Sequence, residues 1–328
     1  MTKETFIKGV ERLVDPIDVG TLHFIESFTK KIPKNLQEKL VEKSGEKTPY
    51  MGFVVEPYSY FLAYELKDLQ RASDLLPDGF KLVKTKIFDD DEPKFYGIFG
   101  CFNAHTSGFW GMRVEFYIIA EDTSTGLMSW IIVDYDTNTI TYDPKNGFTD
   151  PNSSGSLITT DYDGQLHVEV KNDSGRMLVA KSDIEQGKMK ALDNRLWVEG
   201  NLSIAYGKHK INGNPGLFSL IFNPKEFERA LRLPKGSYQI EINNWFPGLF
   251  MDEPSEVACF PYAQHFLSDS PGHSSLLLDE NALNEKVKSV DFSQISVFST
   301  KGISKMIIMG GILSAVTNTV LITLLILK

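Results

Sequence analysis

Short segments in which apolar and polar residues alternate fill the middle of this chain, and they constrain its fold more than any other feature. Arg113–Ala120 is the clearest case, because its even-numbered residues are apolar while Arg113, Glu115 and Tyr117 hold odd-numbered positions. Successive side chains of a strand point to opposite faces, so each such segment predicts a two-faced strand. Strands are predicted at Phe95–Phe102, Arg113–Ala120, Leu127–Val133, Leu157–Thr160, Leu166–Val170, Arg176–Ala180, Leu196–Tyr206, Phe218–Phe222 and, as a closing strand, Lys286–Phe298.

Helical patterns are few and lie mainly outside this region. Residues 3–46 show apolar residues at helical spacing, and shorter helices are predicted around Leu66–Leu76 and at Pro224–Leu231. Turn sequences such as Asp163-Gly164 separate the strands at short intervals, which favours antiparallel hairpins. The pattern predicts an α+β protein, mostly antiparallel β, closed into a β-barrel with peripheral helices. We expect a helical extension at 1–47, the β-barrel domain at 48–299 and a membrane segment at 300–328.

The C-terminal segment carries a strong membrane signal. No charged residue occurs from Met306 to Leu327, and lysines flank the run on both sides. Such a run spans about 33 Å as a helix, which is enough to cross the hydrocarbon core of a bilayer. The N-terminus has no apolar signal-peptide region, so a single-pass tail anchor is expected, with the globular part facing the cytosol.

Small residues recur four apart within the predicted anchor. Gly310 and Ser314 form one such pair, and Gly311 and Ala315 form a second. This spacing lets two membrane helices approach closely, which would make the anchor a homo-oligomer contact. The alternative is that these residues reflect only the usual composition of membrane helices.

Charge and cysteine content exclude several function classes. The net charge is −9 and no basic block interrupts the acidic background, so nucleic-acid binding is not expected. Cys101 and Cys259 lie far apart and outside any CxxC motif, which argues against a disulfide framework or a thiolate zinc site. We predict two packed thiols in a reducing compartment, and no metal or cofactor.

The segments between about residues 55 and 150 follow a characteristic order. They run from PYSYFLAYELKDLQRASDLLPDGFKL through a bend (HTSGFWG), a strand (RVEFYIIA) and an apolar strand (GLMSWIIVDYD) to Tyr142-Asp143-Pro144-Lys145. This order resembles the acetoacetate decarboxylase-like superfamily, which has an aromatic residue, a proline and two lysines at the last position. The resemblance implies a cone-shaped antiparallel barrel with a central small-molecule pocket.

By its position, Lys145 matches the family lysine that attacks the ketone of a β-keto acid and forms a Schiff base. The second lysine of the family pair is replaced by Asn146, and Arg113 and Glu115 lie near, but not in register with, the family's acidic residue. Lys145 is therefore the candidate nucleophile, and its alternative is a solvated lysine in a DPKNG turn. Arg113 and Glu115 are either pocket residues or a surface pair on the outside of a strand.

Three function classes follow from these observations. The first is a membrane-tethered lyase, or a related Schiff-base enzyme, that acts on a keto acid through Lys145. The second is a non-catalytic binding module for an apolar or amphipathic small molecule. The third is an interaction protein in which the N-terminal extension and the anchor assemble a membrane complex.

Overall fold

The structure is a computed structural model. It describes residues 2–14, 33–39, 50–106, 109–143, 145, 147–153, 155–211, 216–269, 276–293, 295, 305, 308–314 and 316–317. The boundaries of the three predicted parts of the chain fall outside these ranges, so the division at 47/48 and 299/300 stays a prediction.

Strands account for most of the regular structure in the described part. Helices occur at α1 (Lys3–Leu13), α2 (Leu69–Asp74) and α3 (Glu280–Ser289), and residues 34–39 and 308–314 are also helical. The strands are β1 (Tyr50–Val55), β2 (Ser59–Glu65), β3 (Phe80–Leu82), β4 (Tyr96–Thr106), β5 (Trp110–Asp122), β6 (Met128–Thr137), β7 (Thr141–Asp143), β8 (Gly147–Thr149), β9 (Leu157–Thr160), β10 (Gln165–Lys171), β11 (Met177–Asp183), β12 (Lys188–Ala191), β13 (Ile204–Tyr206), β14 (Ile221–Phe222), β15 (Arg229–Arg232), β16 (Tyr238–Asn243), β17 (Glu256–Phe260) and β18 (Gln264–Asp269).

Twelve of the described strands form one main sheet around the long pair β4 and β5. On one side of β4 the order is β2, β17, β15 and β12, and β1, β18 and β14 continue from the far end of β4. On the other side β5 pairs with β3 and β6, and β6 pairs in parallel with β13. The two ends of the sheet at β13 and β14 approach each other at a single bridge between Ile204 and Phe218, just before β14. Among the described residues no ladder of strands joins these ends, so the predicted closed barrel is not found.

A second sheet, in the order β16-β11-β10-β9, packs on one face of the main sheet. Its apolar side chains, such as Val168 and Leu178, share one buried core with Leu62, Phe99 and Phe116 of the main sheet. The opposite face of the main sheet is also covered. Its core is aromatic. The ring centroid of Trp197 lies 5.1 Å from the ring centroids of Phe61 and Phe260, and 5.4 Å from that of Trp130. Burial on both faces explains why the central strands read as nearly continuous apolar runs.

A β-bulge divides β6 into two halves of different character. Phe116 pairs with Asp134 while Tyr117 pairs with Ile132, so Val133 is the extra residue. Regular alternation would place Asp134 on the same face as Ile132. Because of the bulge, Tyr135 takes that position and lies in the aromatic core with Ile132.

The aspartates that follow the bulge connect the two sheets. Asp136 is fully buried and accepts hydrogen bonds from Arg176, from Asn152 (3.1 Å) and from Asn172 (2.7 Å). Asp134 also pairs with Arg176, whose guanidinium stacks 3.7 Å from the ring centroid of Trp245. Because Arg176 lies next to β11, this network joins the main sheet to the second sheet by polar contacts.

Helix α1 is held on the main sheet by apolar packing and by one ionic contact. Its buried side chains, such as Phe6 and Val10, belong to the aromatic core. Next to them, the buried imidazole of His265 lies 3.2 Å from a carboxylate oxygen of Glu11 in α1 and 3.2 Å from one of Glu226. Burial acts to lower the pKa of His265, but the two carboxylates outweigh it and the pKa is raised.

Several predictions from the sequence are confirmed. Leu157–Thr160 forms β9, and the segments Arg113–Ala120 and Leu127–Val133 lie almost wholly within β5 and β6. The protein is mostly antiparallel β with few helices in its described part. Cys101 and Cys259 are buried free thiols. Burial raises the pKa of Cys259 to about 12, so this thiol stays protonated and packs as a small apolar group.

Three predicted elements are wrong. The first half of Leu196–Tyr206 forms a π-helical turn (Arg195–Glu199), and only its end is a strand. Pro224–Leu231 is a 3₁₀ turn that runs into β15, because its last residues pair with β12 and β17. The predicted closing strand at Lys286–Phe298 overlaps helix α3, which begins where the Asp279 side chain accepts a hydrogen bond from the backbone of Ala282.

The predicted membrane segment is only partly covered by the described residues. Gly310, Gly311 and Ser314 lie in the helical residues 308–314 and are exposed, whereas Met306, Ala315 and Leu327 lie outside the described residues. Within the residues that are described, no helix has both the length and the hydropathy that crossing a membrane requires.

Candidate functional site

The candidate site lies on the side of β5 that faces the aromatic core. Arg113, Glu115 and Tyr117 occupy alternate positions of this strand, so their side chains leave the sheet on the same face. Arg113 and Glu115 are each 7% exposed. The structure therefore brings these two residues together in the interior, and the interpretation as an outer surface pair is wrong.

The carboxyl group of Glu115 is held by its neighbours on both oxygens. Arg113 Nε donates a hydrogen bond to Oε1, and the hydroxyl of Tyr117 donates to Oε2. Arg113 also donates from Nη1 to the hydroxyl of Thr141 at 3.1 Å, and its guanidinium carbon lies 4.2 Å from the ring centroid of Tyr135. These contacts fix a buried cation and a buried carboxylate in one geometry.

The charges of this cluster follow from its surroundings. Burial acts to lower the pKa of Arg113, but the carboxylate of Glu115 outweighs it and the pKa is raised above its ordinary value. Burial, and next the same carboxylate, raise the pKa of Tyr117, so its phenol stays protonated. At neutral pH the cluster presents a guanidinium and a phenol as fixed hydrogen-bond donors.

Lys145 lies at the turn between β7 and β8, at the surface of the same region. Its Nζ donates to the backbone carbonyl of His209 at 3.1 Å. Its own carbonyl accepts a hydrogen bond from Lys34 Nζ at 2.7 Å. A side chain on Gly147 would meet Gln37, so the helical residues 34–39 lie directly against this turn.

The candidate residues are thus connected through β7. Thr141, which contacts Arg113, begins β7, and Lys145 follows four residues later in the chain. The hydrogen bonds described for Lys145 run to His209 and Lys34, whereas those of Arg113 run to Glu115 and Thr141. The arrangement places a partly exposed amine after the end of β7 and a buried ion pair against the start of the same strand.

Sequence reasoning missed three members of this region. Tyr117 could have been assigned to the site from the sequence, because it shares the odd-numbered face of β5 with Arg113 and Glu115. Tyr135 could not have been assigned, because the bulge in β6 moves its side chain to the face that contacts Arg113. Lys34 gave no signal either, because it is separated from Lys145 by 111 positions. In the described part of the chain, no group of His, Cys, Asp and Glu side chains is arranged to hold a metal ion.

Comparisons with known proteins were made at three levels. No family model matches the chain, and no curated protein matches its sequence. Among solved structures, an acetoacetate decarboxylase from Legionella pneumophila subsp. pneumophila str. Philadelphia 1 is similar, with a TM-score of 0.41 and 14% identity over 70% of this chain and 89% of that one.

Two further structures are similar to a comparable degree. An acetoacetate decarboxylase-like enzyme from Sphingomonas wittichii RW1 has a TM-score of 0.41 and 10% identity over 70% of this chain and 94% of its own. The enduracididine biosynthesis enzyme MppR, in complex with pyruvate, has a TM-score of 0.39 and 10% identity over 68% of this chain and 87% of its own. All three TM-scores are below 0.5 and no identity exceeds 14%, so membership in the superfamily stays a proposal.

Proposed function

We propose that this protein is a divergent member of the acetoacetate decarboxylase-like superfamily that binds a small keto acid and attacks its carbonyl through Lys145. The observation that carries the proposal is that Thr141, which accepts a hydrogen bond from Arg113, begins β7, and that Lys145 follows at the turn after this strand. A carboxylate substrate needs a cation, and imine formation needs a primary amine. Both groups are present on adjoining elements.

The reaction would proceed in five steps. The neutral amine of Lys145 adds to the ketone carbon to give a carbinolamine, and uptake of one proton with loss of water gives a protonated imine. The bond between the α-carbon and the carboxylate then breaks, carbon dioxide leaves, and its electron pair moves through the new enamine to the imine nitrogen. Protonation of the α-carbon and hydrolysis of the imine release the ketone and return the lysine amine.

A second lysine contacts the backbone of Lys145. In the sequence the neighbouring position is Asn146, which carries no charge. Lys34 lies on a different segment, and its Nζ is bound to the Lys145 carbonyl at 2.7 Å and lies 3.5 Å from Glu38 Oε1. We propose that Lys34 holds the turn that carries the Lys145 amine.

A second candidate function is a non-catalytic binding module for an apolar or amphipathic small molecule. It is favoured by the hydrogen bond from Lys145 Nζ to the His209 carbonyl, because the amine has to leave this carbonyl before it can reach a ketone. It is also favoured by Glu115, whose two oxygens are both engaged by protein donors.

Borohydride trapping separates these two functions. The full chain is incubated with acetoacetate and sodium borohydride, and adducts are located by peptide mass spectrometry. We expect one reduced adduct at Lys145, its loss in Lys145→Arg, and its retention in the matched surface variant Lys225→Arg. An absence of adduct at Lys145, or labelling of it no faster than of other surface lysines, would leave the binding module as the function.

We also propose that residues 306–327 anchor the protein in a bilayer, with the globular part on the cytosolic side. Support comes from the uncharged sequence and from the apolar side chains of Ile308, Met309, Ile312 and Leu313, which are 59–70% exposed. Deletion of residues 301–328 should move the protein from the membrane fraction to the supernatant. Continued sedimentation with membranes after an alkaline carbonate wash would contradict the anchor.

Self-association is proposed for the same segment, through its small residues. The Gly311→Leu variant would keep the segment apolar but prevent close approach of two helices. We expect this variant to stay in membranes while chemical crosslinking of dimers is lost. Unchanged crosslinking would show that the small residues are not the contact.

A further inference from the structure

A separate polar cleft lies where the end of β1 and the start of β2 face β9. Its volume is about 110 Å³, and it is lined by Glu56, Ser59, Asn103, Thr159 and Thr160, with apolar side chains beside them. The cleft is much smaller than a site for a drug-sized ligand, which takes roughly 300–1,000 Å³. It has room for several waters or for one small polar molecule.

The charge of this cleft is one-sided. Glu56 is the only charged side chain among the described residues that line it, and neither lysine nor arginine contributes to that lining. The side chain of Glu56 is 37% exposed, so a molecule in the cleft can reach its carboxylate. An accessible carboxylate in a lining that has no lysine or arginine favours a cationic ligand.

The carboxylate of Glu56 is held in position from behind. Asn103 Nδ2 donates to Oε2 at 3.1 Å and to the carbonyl of Ile158 at 3.0 Å, so Asn103 ties the carboxylate to β9. His105 Nε2 bonds to Oε1, and the His105 ring packs 4.0 Å from the ring of Trp110. Two partners therefore orient the Glu56 side chain while leaving it accessible.

The remaining wall has a fixed backbone. The buried Ser59 hydroxyl donates to the buried Gln264 Oε1 at 2.8 Å, which fixes the start of β2. Tyr58, beside it, holds a left-handed backbone with φ of 69°, which is strained for a residue with a side chain. Its N–H donates to the carbonyl of Phe260 at 2.6 Å, and this bond holds the turn in that shape.

We propose that this cleft is a binding site for a small primary ammonium compound. Its N–H groups bond to the Glu56 carboxylate and to the hydroxyl oxygen of Thr160. The site shares no residue with the Arg113–Glu115 cluster or with the Lys145 turn, so it does not depend on the keto-acid proposal. The ammonium group belongs either to a free amine or to the end of a larger molecule such as a lipid headgroup.

Isothermal calorimetry on the full chain in detergent micelles tests this site, with ethanolamine as the probe. We expect saturable binding, with ethylene glycol, a neutral analogue of the same size, binding at least tenfold more weakly. Glu56→Gln keeps the shape but removes the charge, and it should weaken ethanolamine binding by about tenfold or more. Glu65→Gln is the matched control, because Glu65 pairs with Lys94 at 3.0 Å and is similarly exposed; its affinity should equal that of the wild type.

Equal affinity in Glu56→Gln and wild type, or equal affinity for ethylene glycol, would overturn the proposal. If Glu56→Gln lowers the unfolding midpoint, the variant is no longer a clean test, and binding of tetramethylammonium to the wild-type protein is measured instead. This ion has the charge of ethanolamine but no N–H donors. We expect it to bind at least tenfold more weakly than ethanolamine, and comparable binding would also overturn the site. Glycerophosphoethanolamine distinguishes the two sources: tighter binding than ethanolamine assigns a headgroup, and weaker binding assigns a free amine.

Discussion

Replacing Asp136 by asparagine should be among the most destabilising conservative changes in this protein. The described side chains that contact the Asp136 carboxylate are Arg176, Asn152 and Asn172, and each of them points an N–H donor at it. An asparagine amide has one acceptor and one donor group, so in either orientation its NH₂ faces at least one of these donors. Asp136→Asn thus removes one of the two counter-charges of Arg176 and sets donor against donor in a fully buried position.

The magnitude follows from this burial. Breaking a buried ion pair by removing one partner costs about 3–5 kcal/mol when the remaining charge is left without compensation. Because Asp134 still pairs with Arg176, we expect the lower end for Asp136→Asn, about 3 kcal/mol. Asp134→Asn is the matched control: it also contacts Arg176, but its side chain is 21% exposed and water can replace the lost contacts. For that variant we expect a loss of roughly 1.5 kcal/mol, the lower end for a hydrogen bond to a charged group.

Urea denaturation followed by tryptophan fluorescence measures both variants. Trp245, which stacks on Arg176, reports on this network directly. The free energy of unfolding should fall at least twice as far for Asp136→Asn as for Asp134→Asn, with similar dependence on urea concentration in both. A loss below about 1 kcal/mol for Asp136→Asn, or equal losses in the two variants, would refute the reasoning, because Arg176 would then not depend on Asp136.

Two further predictions concern helix α1. Since the pKa of His265 is raised in the folded protein, its contribution to stability is full below the unfolded pKa of about 6.5 and is lost as pH rises through the folded pKa; urea titrations at several pH values should show this loss in the wild type and not in His265→Gln. Gly9→Ala would gain about 1 kcal/mol of helix propensity, but its Cβ would lie 2.4 Å from the Phe292 ring, and overpacking of about 1–3 kcal/mol should dominate. Thermal unfolding should therefore show a lower midpoint for Gly9→Ala and no loss for Gly155→Ala, where no atom lies within 4 Å; a higher midpoint for Gly9→Ala would mean that the ring moves aside.

Local sequence patterns were sufficient for the strands at the centre of the fold. In β5 the alternation gave both the strand and the correct grouping of Arg113 with Glu115 on one face. It could not show that this face is buried. That depends on a second layer that includes Trp197, and Trp197 lies in a π-helical turn where the sequence predicted a strand.

Elements with short or mixed patterns were not predictable in the same way. Residues 286–292 alternate like a strand, yet Leu283, Val287 and Val290 also follow helical spacing, and the Asp279 cap decides in favour of α3. For the candidate site, Lys145 came from a family resemblance. Its contact with Lys34 joins two distant segments, and neither residue type nor local spacing contains that information.

The bulge at Val133 makes this position of β6 tolerant of a deletion. Removing Val133 would restore a regular ladder in which Ile132 still pairs with Tyr117 and Asp134 still pairs with Phe116. Tyr135 would still face the aromatic core, and Asp134 and Asp136 would still lie on the side of Arg176. A one-residue gap at this position in an alignment of related chains would therefore leave the interior unchanged, whereas the same gap elsewhere in β6, with the bulge kept, would exchange the two sides of the residues beyond it.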